Sequence, residues 1–224
     1  MRTDELIARL ALDARPVRPL PEPRMRATLW LAASAAYVLL LIALMSPDPA
    51  RLAGIRAPRF WLEQLAAFAT AITAAVAALA SVIPGRSRRA WLLPIAPLLL
   101  WIATLAWGCI GDVTGKGLGG MTVYSDWPCL VAMMTGAALP AFIMAMMLRR
   151  GAPLAPRATG AFAALAGAAL SSVGACLSRP APHPTAITVV AWHFGTLLAL
   201  VSIGAWTGGR LLSWRVSPSM WRTS

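Results

Sequence analysis

Five side chains in the sequence have the chemistry of soft-metal ligands or oxidisable groups: the thiols of Cys109, Cys129 and Cys176 and the imidazoles of His183 and His193. No two of the cysteines form a Cys-x-x-Cys pair, which speaks against a thiol-disulfide oxidoreductase. Cys129 lies 19 residues before Leu148, and Cys176 lies 18 residues after Ala158. If the chain runs as two helices joined by a short turn at 149–157, a rise of ~1.5 Å per residue returns the two thiols to nearly the same height. Neighbouring helices packed ~8–10 Å apart and converging through small residues bring Cα atoms into the ~4.4–6.8 Å range of a disulfide. Such a pair could be bridged permanently, cycle with oxidative stress, or bind a soft metal ion with His183 and His193 as further ligands. Cys109 is better read as a small apolar residue. His193 could equally be a hydrogen-bonding core residue.

The elements that must hold these groups are membrane helices. The 224 residues are 58% hydrophobic and only 12% charged, with a mean hydropathy of +0.68, outside the usual range of soluble domains. A helix crosses the hydrocarbon core of a bilayer with ~20 apolar residues. Six such stretches occur, at 27–45, 62–83, 90–110, 127–148, 158–177 and 186–207. They are apolar on every face, where barrel strands would alternate. The expected fold is all-α: a polytopic membrane protein with a six-transmembrane-helix bundle over 27–207, an N-terminal segment 1–26 and a tail 208–224. The first stretch is expected to be retained, because the segment before it carries acids as well as bases and no small-residue cleavage site closes it.

The bases are distributed unevenly. Of 20 Lys and Arg, fifteen fall before the first stretch, in the second and fourth loops and in the tail. The other five, Arg51, Arg56, Arg59, Lys116 and Arg179, fall in the first, third and fifth loops. The positive-inside rule then expects both termini in the cytoplasm and the three cysteines at the outer ends of the third, fourth and fifth spans. Bases flanking membrane spans are explained by anionic lipid, so the net charge of +12 does not require direct nucleic-acid binding.

Outside the spans, "TDELIARLALDA" at 3–14 has the pattern of a short amphipathic helix. Thr3 can cap it, Asp4 and Glu5 suit its first turn, and Leu6, Ile7 and Leu10 share one face opposite Arg9 and Asp13. The four prolines of "RPVRPLPEP" then favour an extended spacer. A helix this short is marginal alone and needs a bilayer surface or a protein groove to cover its apolar face; its two acids favour the groove. The loop "GDVTGKGLGG" at 111–120 fails as a phosphate-binding loop, since Gly111 and Gly115 are too close and Gly117 follows Lys116. It reads as a flexible connection.

Inside the spans, ionisable groups are scarce, which disfavours a transport path or proton relay. Glu63 and Gln64 are expected to snorkel at an outer rim. Gly160, Gly167 and Gly174 recur every seven residues, a stripe along which a neighbouring backbone could approach. Pro94 and Pro97 either kink the third span or occupy its first turn. Trp30, Trp91, Trp127 and Trp192 are placed as in an aromatic belt.

Three stretches carry a family likeness: "TDELIARLALDARPVRPL" at 3–20, "LRRGAPLAPRATGA" at 148–161, and Cys176 with the "AWHFG" of 191–195. With them the chain resembles the NrsF-type anti-sigma factors of proteobacteria, six-span inner-membrane proteins that hold an ECF sigma factor inactive. The resemblance implies an exterior cysteine pair tied to heavy-metal and oxidative stress, matching Cys129 and Cys176 by position. Cys109 has no counterpart in that pattern, and the family's acidic residue after its second cysteine is missing from "CLSRPAPHP".

The expectation is therefore a non-enzymatic anti-sigma factor of the bacterial inner membrane, multi-pass, with N- and C-termini inside. Asp4, Glu5, Leu6, Ile7 and Leu10 would bind an ECF sigma factor on the cytoplasmic side. Cys129 and Cys176 would sense stress or heavy-metal ions at the exterior, with Cys109, His183 and His193 as candidate additions, and membrane lipid would surround the bundle. No cofactor is expected. The alternatives are a small-molecule transporter or channel subunit, or a membrane thiol-redox protein.

Overall fold

The computed structural model describes residues 3–13, 20–45, 58–85, 87–178 and 185–212; the side chains of Leu10, Asp13, Arg88, Leu118 and Gly120 also fall outside the description. All regular structure among these residues is helical. Six helices are long and apolar enough to cross a membrane, as the hydropathy pattern requires.

Helix α1, Thr3–Asp13, carries Asp4 and Glu5 in its first turn, where the helix dipole favours them. The first span is α2, Pro23–Leu44, with proline in its first turn, where the missing N–H costs nothing. The second is α3, Pro58–Ala80. The third opens with a short 3-10 turn, Arg88–Leu92, capped by the Ser87 side chain accepting from the Arg89 N–H. It continues as α4, Ile95–Lys116, with Pro94 as its N-cap. Pro94 and Pro97 thus sit at a helix start, where they are tolerated.

The supposed flexible connection after this span is ordered. α4 runs on through Asp112 and Lys116, whose side chains pair at 3.0 Å, and a 3-10 turn, Gly117–Met121, follows. Gly117 adopts φ 58°, a conformation that favours glycine. The fourth and fifth spans are α5, Trp127–Leu148, and α6, Pro156–Ser178. The sixth comprises α7, Ala186–Val189, a π turn at Val190–Phe194, and α8, Gly195–Leu211.

α6 is the hub, packing on α8, α3, α5 and α2. Its Ala166, Ala168 and Ala169 and the Ala71, Ala74, Ala75 and Ala78 of α3 are all fully buried. Lipid is as apolar as any side chain, so helices in a bilayer associate through close packing of small residues, and this alanine seam is that kind of contact. The glycine stripe on α6 meets three different partners. Gly160 lies against the Gly204 carbonyl and Gly208 of α8, Gly167 beside Ala137 and Pro140 of α5, and Gly174 under Val38 of α2. The first is the tightest backbone-to-backbone approach; at Gly167 the α5 backbone stands off at ordinary contact distance.

Two tryptophans depart from the belt pattern. Trp30 is completely buried, its indole N–H donating to the Pro140 carbonyl at 2.9 Å. Trp91 packs edge-on against Phe162 of α6, ring centroids 5.9 Å apart. At that end of the bundle the loops are tied together: Ser81 and Thr159 hydroxyls meet at 2.7 Å, and the Ala152 N–H donates to the Val82 carbonyl at 3.0 Å. The opposite end holds the cysteine pair.

Candidate functional site: a thiol–imidazole cluster

Asp126 begins the site. Its carboxylate accepts from the Cys129 backbone N–H at 3.2 Å, the N-cap bond that starts α5 and sets the thiol in the first turn. Cys129 is buried. His193 comes to it from the sixth span because of the π turn, which inserts extra backbone between α7 and α8 and turns the imidazole inward; such local bulges are commonly found at functional sites. His193 Nε2 lies 2.7 Å from the Cys129 sulfur and 3.9 Å from the Cys176 sulfur near the end of α6. One imidazole nitrogen therefore faces two thiols from different spans. All three cysteines are free thiols.

The wall behind Cys176 is polar. The side chains of Gln64 and Ser172 lie against its thiol, and Glu63 is close enough to act on it. Gln64 is buried, so the snorkelling expected of it does not occur. Two buried atoms here have no hydrogen-bond partner, Nδ1 of His193 and Oε1 of Gln64. Leaving such an atom unpaired in a dry interior costs about 1–3 kcal/mol.

A strap holds the sixth span over the site. Thr185 Oγ1 donates to the Thr122 carbonyl at 2.7 Å, the Tyr124 N–H donates to Thr188 Oγ1 at 3.1 Å, and Trp192 Nε1 donates to the Tyr124 carbonyl at 2.8 Å. The Trp127 and Trp192 rings pack against each other tilted by 59°, 5.6 Å between centroids. The Asp112 carboxylate accepts from the Ala186 N–H at 2.6 Å, which anchors the start of α7. The segment that leads into Cys129 and the segment that carries His193 are thus fastened to each other.

This arrangement is a hydrogen-bonded thiol–imidazole pair. Sulfur and nitrogen on one tetrahedral soft ion stand ~3.5 Å apart, given metal bonds of ~2.3 and ~2.0 Å, wider than the 2.7 Å here. Among the described residues no group of three or more His, Cys, Asp and Glu side chains is arranged to hold a metal ion. A neutral imidazole beside a thiol can take its proton as the sulfur reacts, which is the chemistry of an activated cysteine.

The other candidate residues lie elsewhere. Cys109 is half-buried on α4, next to the Gly108 against which the Arg59 guanidinium packs. His183 falls outside the described residues. On α1, Asp4, Glu5, Leu6 and Ile7 are exposed, with Glu5 paired to Arg9 at 3.5 Å. Leu12, which the apolar face did not include, is 87% exposed. Gln64, Ser172 and Asp126 were missed; the detectable signal was Gln64, an amide inside an otherwise apolar stretch.

Residues 10–214 match the family described as NrsF, negative regulator of sigma F. The chain belongs to this family. No curated protein and no solved structure matches it. As a member of the NrsF family it is a negative regulator of a sigma factor, and a sigma factor is its partner. The matched residues include all six spans, Cys129, Cys176 and His193. Asp4, Glu5, Leu6 and Ile7 precede them.

Proposed function

We propose that this NrsF protein is an inner-membrane anti-sigma factor with both termini in the cytoplasm. It holds an ECF sigma factor through α1 and releases it when the exterior thiols Cys129 and Cys176 are oxidised or take up a heavy-metal ion. The observation that carries the sensing half is His193 within reach of both sulfurs. A base beside a thiol speeds its reaction with an oxidant or electrophile. A soft ion shared by the two would part the Cys129 sulfur from His193 Nε2 to ~3.5 Å. The tethering half is supported by the apolar side chains that α1 leaves uncovered, Leu6 at 43% and Ile7 at 60% exposure, beside two acids suited to a basic groove. Sidedness is supported by the arginine imbalance, which favours the cytosol for the amino end.

The test is sigma-dependent transcription in cells carrying the full-length protein, with and without cadmium or peroxide. Cys129→Ser should abolish induction and Cys176→Ser should weaken it, while unstressed repression persists in both. Leu6→Asp with Ile7→Asp should raise unstressed transcription to the level of a strain lacking the protein. Normal induction in both cysteine variants would remove the sensing role, and full repression by the α1 variant would remove the tether.

A further inference from the structure

Three donors on α2 meet three backbone carbonyls on α5. Tyr37 donates its hydroxyl to the Thr135 carbonyl at 3.0 Å, Trp30 its indole N–H to the Pro140 carbonyl at 2.9 Å, and Arg26 a guanidinium N–H to the Met147 carbonyl. The pairing is antiparallel, and the donors are spaced by four and seven residues, which keeps them on one stripe of α2. Across eleven residues the stripe covers ~16 Å of helix, so α5 is held along its second half, from Thr135 to Met147. Among the described residues, every hydrogen bond that an α2 side chain makes beyond its own helix ends on α5. α2 packs on α6 and α3 about as extensively as on α5, with Val38 over Gly174 on α6, but among the described residues its side chains make no hydrogen bond to either.

The consequence follows from the solvent. A buried indole or guanidinium pulled off its acceptor inside the membrane finds no water to replace it, a cost that the displacement of one apolar side chain along another does not carry. Trp30 and Arg26 are both buried, and the other nitrogen of the Arg26 guanidinium fork has no partner already. We infer that α2 and α5 move as one rigid pair, so that a displacement begun at Cys129 in the first turn of α5 reaches the first turn of α2, the end that leads from α1. Arg26, Trp30 and Tyr37 are its positioning residues. This rests on the sensing and tethering roles above and names the route between them; Cys129, on the bonded span, drives the change more directly than Cys176.

The experiment uses the full-length protein in lipid nanodiscs with Cys109→Ser and Cys176→Ser, leaving Cys129 as the one thiol. Methyl methanethiosulfonate converts it to a methyl disulfide: the cysteine sulfur bonds the methylthio group and methanesulfinate leaves, with the thiol proton passing to solvent. Amide hydrogen exchange of α2 and α5 is measured before and after. Exchange should rise in both helices, about tenfold. With Trp30→Phe the rise should persist in α5 and fall in α2, reaching background when Tyr37→Phe is added. Tyr37→Phe alone leaves the Trp30 and Arg26 bonds in place and should lower the α2 rise part of the way, which keeps the test valid if Trp30→Phe misfolds. A rise in α5 alone in the parent, an equal rise of α2 in the Phe variants, or no change in either helix would overturn the inference. Sigma-factor retention, read in parallel, separates the two claims: coupled helices with the sigma factor still bound support the rigid pair and count against the release mechanism.

Discussion

The sulfur of Cys129 and Nε2 of His193 lie 2.7 Å apart although 64 positions separate them in the chain. One is set by an N-cap and the other by a π turn, so two local backbone features at opposite ends of a long connection meet at one hydrogen bond. The pair is buried, and Nδ1 on the far side of the ring has no partner. The imidazole is thus held on its Nε2 side, the side that faces the Cys129 sulfur.

His193→Phe keeps a ring of similar size and removes the nitrogen. Loss of a hydrogen bond worth about 0.5–1.5 kcal/mol should slow methylthiolation of Cys129 by about two- to tenfold. Mass spectrometry of the single-thiol protein measures the rate, and an unchanged rate would deny the imidazole any part in activating the sulfur.

Asp126→Ala removes the cap from α5. N-cap loss costs ~1 kcal/mol, and the first turn it frees contains Cys129. The melting temperature should fall by a few degrees while Cys129 becomes more accessible to labelling. Asp126→Asn, which still accepts the backbone N–H, should restore most of both.

Asp112 and Lys116 form an ion pair of which only one partner matters for stability. The ammonium is 57% exposed, so Lys116→Ala should change stability by less than about 1 kcal/mol. Asp112→Ala also loses the bond to the Ala186 N–H and should cost ~1–2 kcal/mol, as a lost cap does. Thermal unfolding in detergent compares the two, and amide exchange at Ala186 should rise only in the Asp112 variant.

Gly160→Ala places a Cβ on the Gly204 carbonyl, and Gly204→Ala places one on the Gly160 carbonyl. Neither obstacle is a flexible side chain, so each change should destabilise by about 1–3 kcal/mol, the range of core overpacking. Gly115→Ala, in α4 with open space around it, should instead stabilise by about 0.5–1 kcal/mol through reduced freedom of the unfolded chain. Melting temperatures that rank these variants otherwise would contradict the packing of α6 on α8.

Six spans were legible from hydropathy because crossing a bilayer demands ~20 apolar residues in a row, a local requirement written into composition. The fourth span, Trp127–Leu148, has the boundaries its sequence predicts. Cys129 and Cys176 could be matched in height by counting residues, since the helical rise is constant. Ends were less visible. α4 extends past Ile110 through Asp112 and Lys116 because a helix continues as long as its side chains find partners, here each other and the Ala186 N–H.

What hydropathy does not encode is rotation about each helix axis. A span that is apolar on every face gives no sign of which side meets lipid, and the driving force that marks the inner face of a soluble helix is absent in a bilayer. Trp30 therefore resembled a belt residue yet is buried on a carbonyl, and the α6 glycines resembled one seam yet serve three neighbours. Composition, spacing and local hydropathy thus determined that this chain is a six-span helical protein with two thiols at one depth. Only the tertiary structure decided that His193 turns one nitrogen to both thiols and that α2 is bonded to α5, because both depend on how distant helices are turned toward one another.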